Sequence, residues 1–262
     1  MILGGEKMNY NNKLNQSRVS PIYLLPNMFT IGAMFAGFYA IVQSINYDFI
    51  ASGIALFFAM ILDSLDGRVA RLTHTSSPFG AQLDSLSDMV CFGVAPAIIA
   101  FNWQLKSLGK IGWLVAFLYC ACAGLRLARF NTLIGIVDKK YFVGLPTTAA
   151  APVIIGYIFI CSRYDLDHKF YTVIGVFLTL LAAFSMVTNI KFYSFKEFHF
   201  NHKARFRALL IFLIALALLI IYPDLVIFGF FFSYVIISYI IWIFKIGEKK
   251  VKIEDKPENI QT

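Results

Sequence analysis

Long apolar runs alternate with short polar segments along most of the 262 residues of the chain. A run of about 18 to 25 apolar residues is long enough to cross the hydrocarbon core of a bilayer as a helix. The pattern therefore predicts an all-α polytopic membrane protein with about eight transmembrane helices, each bounded to within a few residues. The predicted helices cover residues 22–45, 48–70, 81–102, 111–134, 147–163, 170–190, 206–222 and 225–244.

Polar and charged segments divide these runs into parts. Residues 1–20 are polar and lack the apolar stretch of a cleavable signal peptide, so we expect the first helix itself to direct insertion. We predict a transmembrane core at 21–190, a basic cytoplasmic connector at 191–205 and two additional helices at 206–244. The segment 245–262 is charged and is typical of a disordered tail.

Composition and charge agree with a membrane protein and predict its orientation. Hydrophobic residues make up 59% of the chain, more than soluble domains usually contain. Of the 23 Lys and Arg residues, 19 lie on one side of the predicted helices, which predicts that both termini face the cytoplasm from the cytoplasmic membrane. The net charge of +8 then faces anionic lipid headgroups, and no aromatic and basic surface of a soluble domain indicates a nucleic-acid partner.

Four aspartates stand at the facing ends of the second and third apolar runs. Acids inside a membrane are costly and are therefore usually functional. Asp63 and Asp66 share one helical stripe, and Asp84 and Asp88 share another. The intervening TSSPF segment, with Pro78, predicts a turn, so we expect the two helices to run antiparallel with their carboxylates opposed.

The opposed carboxylates predict a site for metal ions. Four like charges cannot lie together unless some are protonated or cations lie among them. Oxygen ligands suit Mg²⁺ or Mn²⁺, and two such ions can hold a pyrophosphate. Gly67, Ala70 and Gly80 share the acidic faces and leave room for a ligand, while Arg71 adds a fixed positive charge for phosphate.

The spacing D-x-x-D-G-x-x-A-R-x8-G-x-x-x-D-x-x-x-D, met here at every fixed position, closely resembles the signature of the CDP-alcohol phosphotransferase family. Further stretches resemble its membrane-integral phosphatidylserine synthase branch. They cover residues 24–41, 87–97, 124–131, 144–151 and 186–196. The resemblance implies a six-helix core followed by two C-terminal helices, and a homodimer.

The resemblance also implies a reaction and a set of roles. The phosphatidyl group of CDP-diacylglycerol would pass to L-serine, giving phosphatidylserine and CMP, with divalent metals on the pyrophosphate. Asp88 would act as the general base and lie among the metal-binding acids. The principal metal ligands would be Asp63, Asp66 and Asp84. The cytidine diphosphate site would be lined by Gly67, Ala70, Arg71 and Gly80.

Three polar residues at the end of the fourth run are candidates for the acceptor site: Arg126, Arg129 and Asn131. A guanidinium group can hold a carboxylate or a phosphate through two parallel hydrogen bonds. Serine and glycerol phosphate would both satisfy these arginines, and so would lipid headgroups reached by snorkelling. We expect serine or phosphate binding here, and a phosphatidylglycerophosphate synthase or another CDP-alcohol phosphatidyltransferase is the alternative.

Functions of another class explain less of the pattern. In a divalent-cation transporter the acids would form an ion path, but here they cluster at one membrane face. A membrane scaffold without catalysis leaves the motif unexplained. Asn27, which follows Pro26, either starts a helix or contacts the nucleotide, and we favour the helix start.

Overall fold

The computed structural model describes residues 24–133, 141–166, 169–193, 213, 217–218 and 220–244. Helices dominate these residues, which confirms the predicted all-α class. The helices are α1 (Leu24–Ile45), α2 (Phe49–Leu72), α3 (Pro78–Asp88), α4 (Ala95–Trp103), α5 (Lys110–Leu133), α6 (Thr147–Arg163), α7 (Lys169–Val187) and α8 (Pro223–Ile243).

Two short helical segments connect longer ones. The π-helical turn Met89–Val94 joins α3 to α4, so that Pro78–Trp103 is one continuous span of 26 residues. The 3₁₀ turn Leu105–Leu108 then leads into α5. The third predicted run is therefore one membrane crossing, with an irregular turn directly after Asp88.

Most of the described helices can cross a membrane. Six spans among the described residues are long and apolar enough, and α6, at 17 residues, is a shorter apolar helix. Seven of the eight predicted runs thus correspond to a described helix or span, to within three residues at each end. The other run, 206–222, lies mostly outside the described residues, so the total of eight is approximate. The chain is an integral membrane protein.

A pair of three-residue strands was not predicted from the sequence. Strand β1 (Tyr141–Val143) pairs antiparallel with β2 (Lys191–Tyr193), with Phe142 opposite Phe192. Gly144 follows β1 with φ of +81°, and a Cβ there would lie 2.3 Å from the carbonyl oxygen of Met186. Only glycine combines this conformation with such a close approach. The pair joins the residues that precede α6 to those that follow α7.

Small residues bring the helices close together. Ala33, Ala36 and Ala40 of α1 are buried, and α1 packs against both α2 and α3. A Cβ on Gly37 would lie 2.7 Å from Sγ of Cys91. Membrane helices associate through such close packing, because lipid is as apolar as the helix surface. The acids of α2 and α3 are therefore held in place from one side by α1.

The bundle is filled at its centre by α6 and is apolar outside. Ala150, Ala151 and Ile155 of α6 are almost completely buried. At the end of α6 remote from the acids, Nη1 of Arg163 donates a 2.9 Å hydrogen bond to Oδ1 of the buried Asp224 on α8. Large side chains point outward toward lipid, among them Phe35, Phe58, Phe117, Phe177 and Phe184.

Candidate active site

Local capping determines where the two acid-bearing helices end and begin. Helix α2 ends at Leu72, and the amide of Thr75 returns to the carbonyl oxygen of Ala70 at 3.0 Å. Ser77 caps α3, since its hydroxyl accepts a 3.0 Å hydrogen bond from the amide of Gly80. Pro78 occupies the first turn of α3 rather than the loop, a position that suits its fixed φ. The predicted turn is present, and α3 begins three residues earlier than predicted.

Three of the four aspartates come together as predicted. One carboxylate oxygen from each of Asp63, Asp66 and Asp84 lies within 4.8 Å of the other two. Oxygen atoms that share one divalent ion lie at most about 4 to 5 Å apart, which is twice a metal–oxygen distance. The three oxygens therefore fit a hard divalent cation in both spacing and chemistry.

Asp88 differs from the other acids in its contacts. Its carboxyl group is within hydrogen-bonding distance of that of Asp63, and the Arg126 guanidinium is a charged neighbour. Its Oδ1 atom is buried and has no hydrogen-bond partner. A buried carboxylate oxygen without a donor is unusual in a folded protein. Asp88 thus keeps one acceptor position free beside the acid cluster.

An open cavity of about 190 Å³ lies between α1, α2, α3 and the turn that joins α2 to α3. Two of the clustered acids, Asp66 and Asp84, contribute to its wall. All four residues predicted for the nucleotide site also line it: Gly67, Ala70, Arg71 and Gly80. The structure therefore gathers the predicted nucleotide residues into one space next to the predicted metal ligands.

The two glycines of this cavity differ in how much space a Cβ atom would find at their positions. A Cβ on Gly80 would lie 3.2 Å from Oγ of Ser77 and 3.3 Å from Oδ1 of Asn27, so packing accounts for this glycine. A Cβ on Gly67 would meet only Nη1 of Arg71, at 3.8 Å. Glycine inside a helix costs about 0.5 to 1 kcal/mol relative to alanine. Packing within the chain does not require Gly67, which lines the open cavity.

Thr30 is a site residue that the sequence analysis missed. Its hydroxyl donates a 2.7 Å hydrogen bond to Oδ2 of Asp66, and its carbonyl oxygen accepts one of 3.1 Å from Ser87. Thr30 is buried and lines the cavity. Asn27 also lines the cavity from within α1, which supports a ligand contact more than a role confined to starting the helix. No local sequence pattern marks the Thr30–Asp66 hydrogen bond or the place of Asn27 in the cavity wall, because both depend on residues of other helices.

Arg126 is the predicted acceptor-site residue whose charge interacts with one of the acids, Asp88. It is buried, its Nη1 donates a 3.3 Å hydrogen bond to Oγ1 of Thr147, and its Cζ lies 5.0 Å from the centre of the Phe130 ring. The cation over an aromatic face and the nearby carboxylate of Asp88 both stabilise the buried charge. A buried arginine of this kind does not snorkel to headgroups.

The other two predicted residues have different surroundings. Arg129 is half-buried, and its Nη2 donates a 2.7 Å hydrogen bond to Oδ1 of Asn189, beyond the end of α7. Asn131 donates from Nδ2 to Oγ of Ser85 at 3.0 Å and so connects α5 to α3. The structure thus separates the three: Arg126 lies at the acids, whereas Arg129 and Asn131 join neighbouring elements near the same end of the bundle.

Comparison with known proteins places the site within a matched region. The family model described as CDP-alcohol phosphatidyltransferase matches residues 23–184. Proteins named CDP-diacylglycerol–serine O-phosphatidyltransferase are similar over much of the chain. The one from Helicobacter pylori is 36% identical over 227 residues, which cover 86% of this chain and 94% of the relative.

Two further relatives carry the same name. The protein from Methanocaldococcus jannaschii is 41% identical over 137 residues, covering 52% of this chain and 61% of the relative. The protein from Bacillus subtilis is 33% identical over 175 residues, covering 66% of this chain and 92% of the relative. The family match includes the four aspartates, the cavity and Arg126.

Proposed function

Because the chain belongs to the CDP-alcohol phosphatidyltransferase family, we propose that it transfers the phosphatidyl group of CDP-diacylglycerol to the hydroxyl group of L-serine and releases CMP. The observation that carries the proposal is the cavity that holds the predicted nucleotide residues beside three clustered carboxylates. Similarity to relatives named for this reaction, over 86% of the chain, supports serine as the acceptor.

The acid cluster is proposed to hold the divalent cations of the reaction, two ions of Mg²⁺ or Mn²⁺. The principal ligands are Asp63, Asp66 and Asp84, whose oxygens have the spacing that one shared ion requires. When bound, such ions offset the charge of the pyrophosphate and make CMP a better leaving group. Thr30 keeps one oxygen of Asp66 fixed, which orients the other oxygen for binding.

The cavity beside the acids is proposed to take the cytidine diphosphate part of the substrate. Gly67 leaves open space on the wall, and Ala70 keeps the same face of α2 shallow. Arg71 supplies a positive charge at the same wall, suited to a phosphate oxygen. The binding residues come from α2 and α3, so that the pyrophosphate lies next to the carboxylates on both helices.

Asp88 is proposed to accept the proton of the serine hydroxyl at Oδ1, the buried oxygen without a hydrogen-bond partner. As the proton moves to Asp88, the serine oxygen forms a bond to the β-phosphorus. The bond from that phosphorus to the bridging oxygen breaks, and its electron pair leaves with CMP. Arg126, buried beside Asp88, is proposed to hold the serine carboxylate and so place the hydroxyl at the base.

The test is CMP release by the purified protein in detergent, with CDP-diacylglycerol, serine and Mn²⁺ each omitted in turn. We expect release only when all three are present, with phosphatidylserine as the lipid product identified by mass spectrometry. Release without serine would indicate hydrolysis instead of transfer. Release that requires glycerol 3-phosphate in place of serine would support the alternative acceptor.

Orientation and assembly form a second part of the proposal. We propose that the acids and both termini face the cytoplasm, because 19 of the 23 Lys and Arg residues lie on that side. Single cysteines at exposed positions test this: His74→Cys in the turn near the acids, and Ser107→Cys near the other end as the matched control. A membrane-impermeant maleimide added to intact cells should label only Ser107→Cys, and the reverse result would invert the topology.

A homodimer in the cytoplasmic membrane is proposed from the family resemblance. The outward-facing apolar side chains of the described helices are compatible with contact between two copies in the bilayer. Cross-linking in native membranes should trap a species of twice the chain mass. A monomer under the same conditions, with the activity intact, would contradict the dimer.

A further inference from the structure

The π-helical turn Met89–Val94 begins directly after Asp88, and a proline follows it at the start of α4. Pro96 has no backbone N–H, so the carbonyl group of Phe92 cannot receive the hydrogen bond that an α-helix would supply from residue i+4. The amide of Ala95 donates to the carbonyl oxygen of Val90, five residues back, as a π turn requires. The proline thus leaves a buried carbonyl in need of another donor.

Tyr119 on α5 supplies that donor. Its hydroxyl donates a 2.9 Å hydrogen bond to the carbonyl oxygen of Phe92, and its side chain is completely buried. A buried hydroxyl or carbonyl without a partner costs about 1 to 3 kcal/mol in proteins, so each group satisfies the other. A Cβ on Gly93 would lie 3.2 Å from Cβ of Ala123, one turn further along α5. The π turn and α5 are therefore in close contact.

The π turn determines the direction of the acid stripe. A π turn adds one residue to a helical turn. The side chains before the turn are therefore rotated about the helix axis by about 100° from the directions that an uninterrupted α-helix would give them. Asp84 and Asp88 precede the turn and face the acids of α2, whereas Ile99 follows it and is buried in the core. With the π turn present, α4 packs in the core while the acids of α3 face α2.

We propose that Tyr119 is a positioning residue that aims the Asp88 carboxylate by holding the π turn through the carbonyl of Phe92. This inference rests on the proposed function, in which Asp88 accepts the proton of the acceptor hydroxyl. The Tyr119 hydroxyl bonds to the backbone of Phe92 and to none of the four aspartates, so in this proposal it acts on the reaction through the backbone. α5 also carries Arg126 on the same helical face, seven residues on, so one helix orients both the base and its charged neighbour.

The first test compares two tyrosine hydroxyls. Tyr119→Phe removes the donor to Phe92, while Tyr157→Phe removes a hydroxyl that donates, also at 2.9 Å, to the carbonyl oxygen of Tyr171, away from the acids. We expect Tyr119→Phe to lower kcat by about tenfold to a hundredfold, the effect of a misplaced catalytic group. The KM for CDP-diacylglycerol and the half-saturating Mn²⁺ concentration should change less than twofold. Tyr157→Phe should leave all three unchanged.

A double variant separates positioning from stability. Adding Pro96→Ala to Tyr119→Phe returns an N–H donor to the Phe92 carbonyl, but in the α-helical register. We expect the melting temperature to recover toward that of the wild type while kcat stays low. Recovery of kcat together with the melting temperature would overturn the proposal, as would a Tyr119→Phe variant with kcat within twofold of the wild type.

The acceptor is varied in the same experiment so that the proposed function is judged separately. Wild type and variants are assayed with serine, glycerol 3-phosphate and inositol. Turnover with an acceptor other than serine would contradict the serine assignment, and the effect of Tyr119→Phe would then be measured with that acceptor. A wild-type protein that transfers to no acceptor would overturn both proposals.

Discussion

The hydroxyl of Thr30 on α1 donates a 2.7 Å hydrogen bond to Oδ2 of Asp66 on α2, 36 residues further along the chain. The carbonyl oxygen of the same residue accepts a hydrogen bond from Ser87, which directly precedes Asp88 on α3. One residue of α1 therefore contacts both acid-bearing helices. Because this hydrogen bond fixes one oxygen of Asp66, the other oxygen is oriented for a cation. Hydrogen bonds to metal-binding side chains orient those side chains in the same way in known metal sites.

Thr30→Val keeps the shape of the side chain and removes its donor. We expect the half-saturating Mn²⁺ concentration for CMP release to rise by about 10- to 100-fold, the usual effect of losing such a partner of a metal ligand. Thr30→Ser should stay near the wild type. Thr179→Val is the matched control, because this buried threonine bonds only to the backbone of its own helix, at Gly175. An unchanged Mn²⁺ dependence in Thr30→Val would remove Thr30 from the site.

Each of the clustered acids is expected to be required for metal binding. Asp63→Asn, Asp66→Asn and Asp84→Asn replace an anionic oxygen ligand by a neutral amide, so activity should be lost while the protein still folds. Asp48→Asn is the control, because Oδ1 of Asp48 caps α2 at the other end of the bundle and asparagine caps equally well. Turnover and Mn²⁺ affinity are measured together. A variant near the wild type in both would exclude that aspartate as a ligand.

The sequence predicted features that depend on nearby residues. Apolar length located seven of the eight runs as helices or spans, because the hydrophobic thickness of a bilayer sets that length. The spacing of Asp63, Asp66 and Asp84 placed their carboxylates on facing stripes, because helical periodicity is local. The family signature covers these same residues, so the acid cluster and the gathering of Gly67, Ala70, Arg71 and Gly80 beside it were predictable.

Features that depend on other helices were not predictable. The contact of Thr30 with Asp66 and that of Tyr119 with Phe92 join residues 36 and 27 positions apart, and no local period marks them. The strand pair β1–β2 has three residues on each side, too few for an alternating pattern. Arg126 and Arg129 looked equivalent in the sequence, and only tertiary packing shows that Arg126 is buried and interacts with Asp88, whereas Arg129 is half-buried and bonded to Asn189.

The difference between the two arginines predicts different kinetic effects. Arg126→Lys keeps the charge but loses the planar pair of donors, so the KM for serine should rise about tenfold, equivalent to about 1.4 kcal/mol. The KM for CDP-diacylglycerol should rise much less. Arg129→Lys should change the KM for serine little, because Arg129 is bonded to Asn189. Equal increases in both KM values for Arg126→Lys would instead place this arginine at the phosphate of the shared substrate.

Asp88→Asn separates a base from a metal ligand. A carboxylate that accepts the hydroxyl proton contributes roughly 10² to 10⁴ in rate whatever the metal occupancy, so raising Mn²⁺ should not restore turnover. The variant should still bind CDP-diacylglycerol and metal. Binding and serine-dependent CMP release are measured across the same Mn²⁺ titration. Turnover that recovers at high Mn²⁺ would make Asp88 a ligand and leave the proton to another group.

The most direct test of the account is a headgroup competition with the purified wild-type protein. Radiolabelled serine, glycerol 3-phosphate and inositol are offered side by side with CDP-diacylglycerol and Mn²⁺, with Asp84→Asn as the inactive reference. We predict that label enters lipid from serine, in an amount equal to the CMP released, and only in the wild type. Incorporation of glycerol 3-phosphate or inositol in preference to serine, or equal incorporation by Asp84→Asn, would contradict the account.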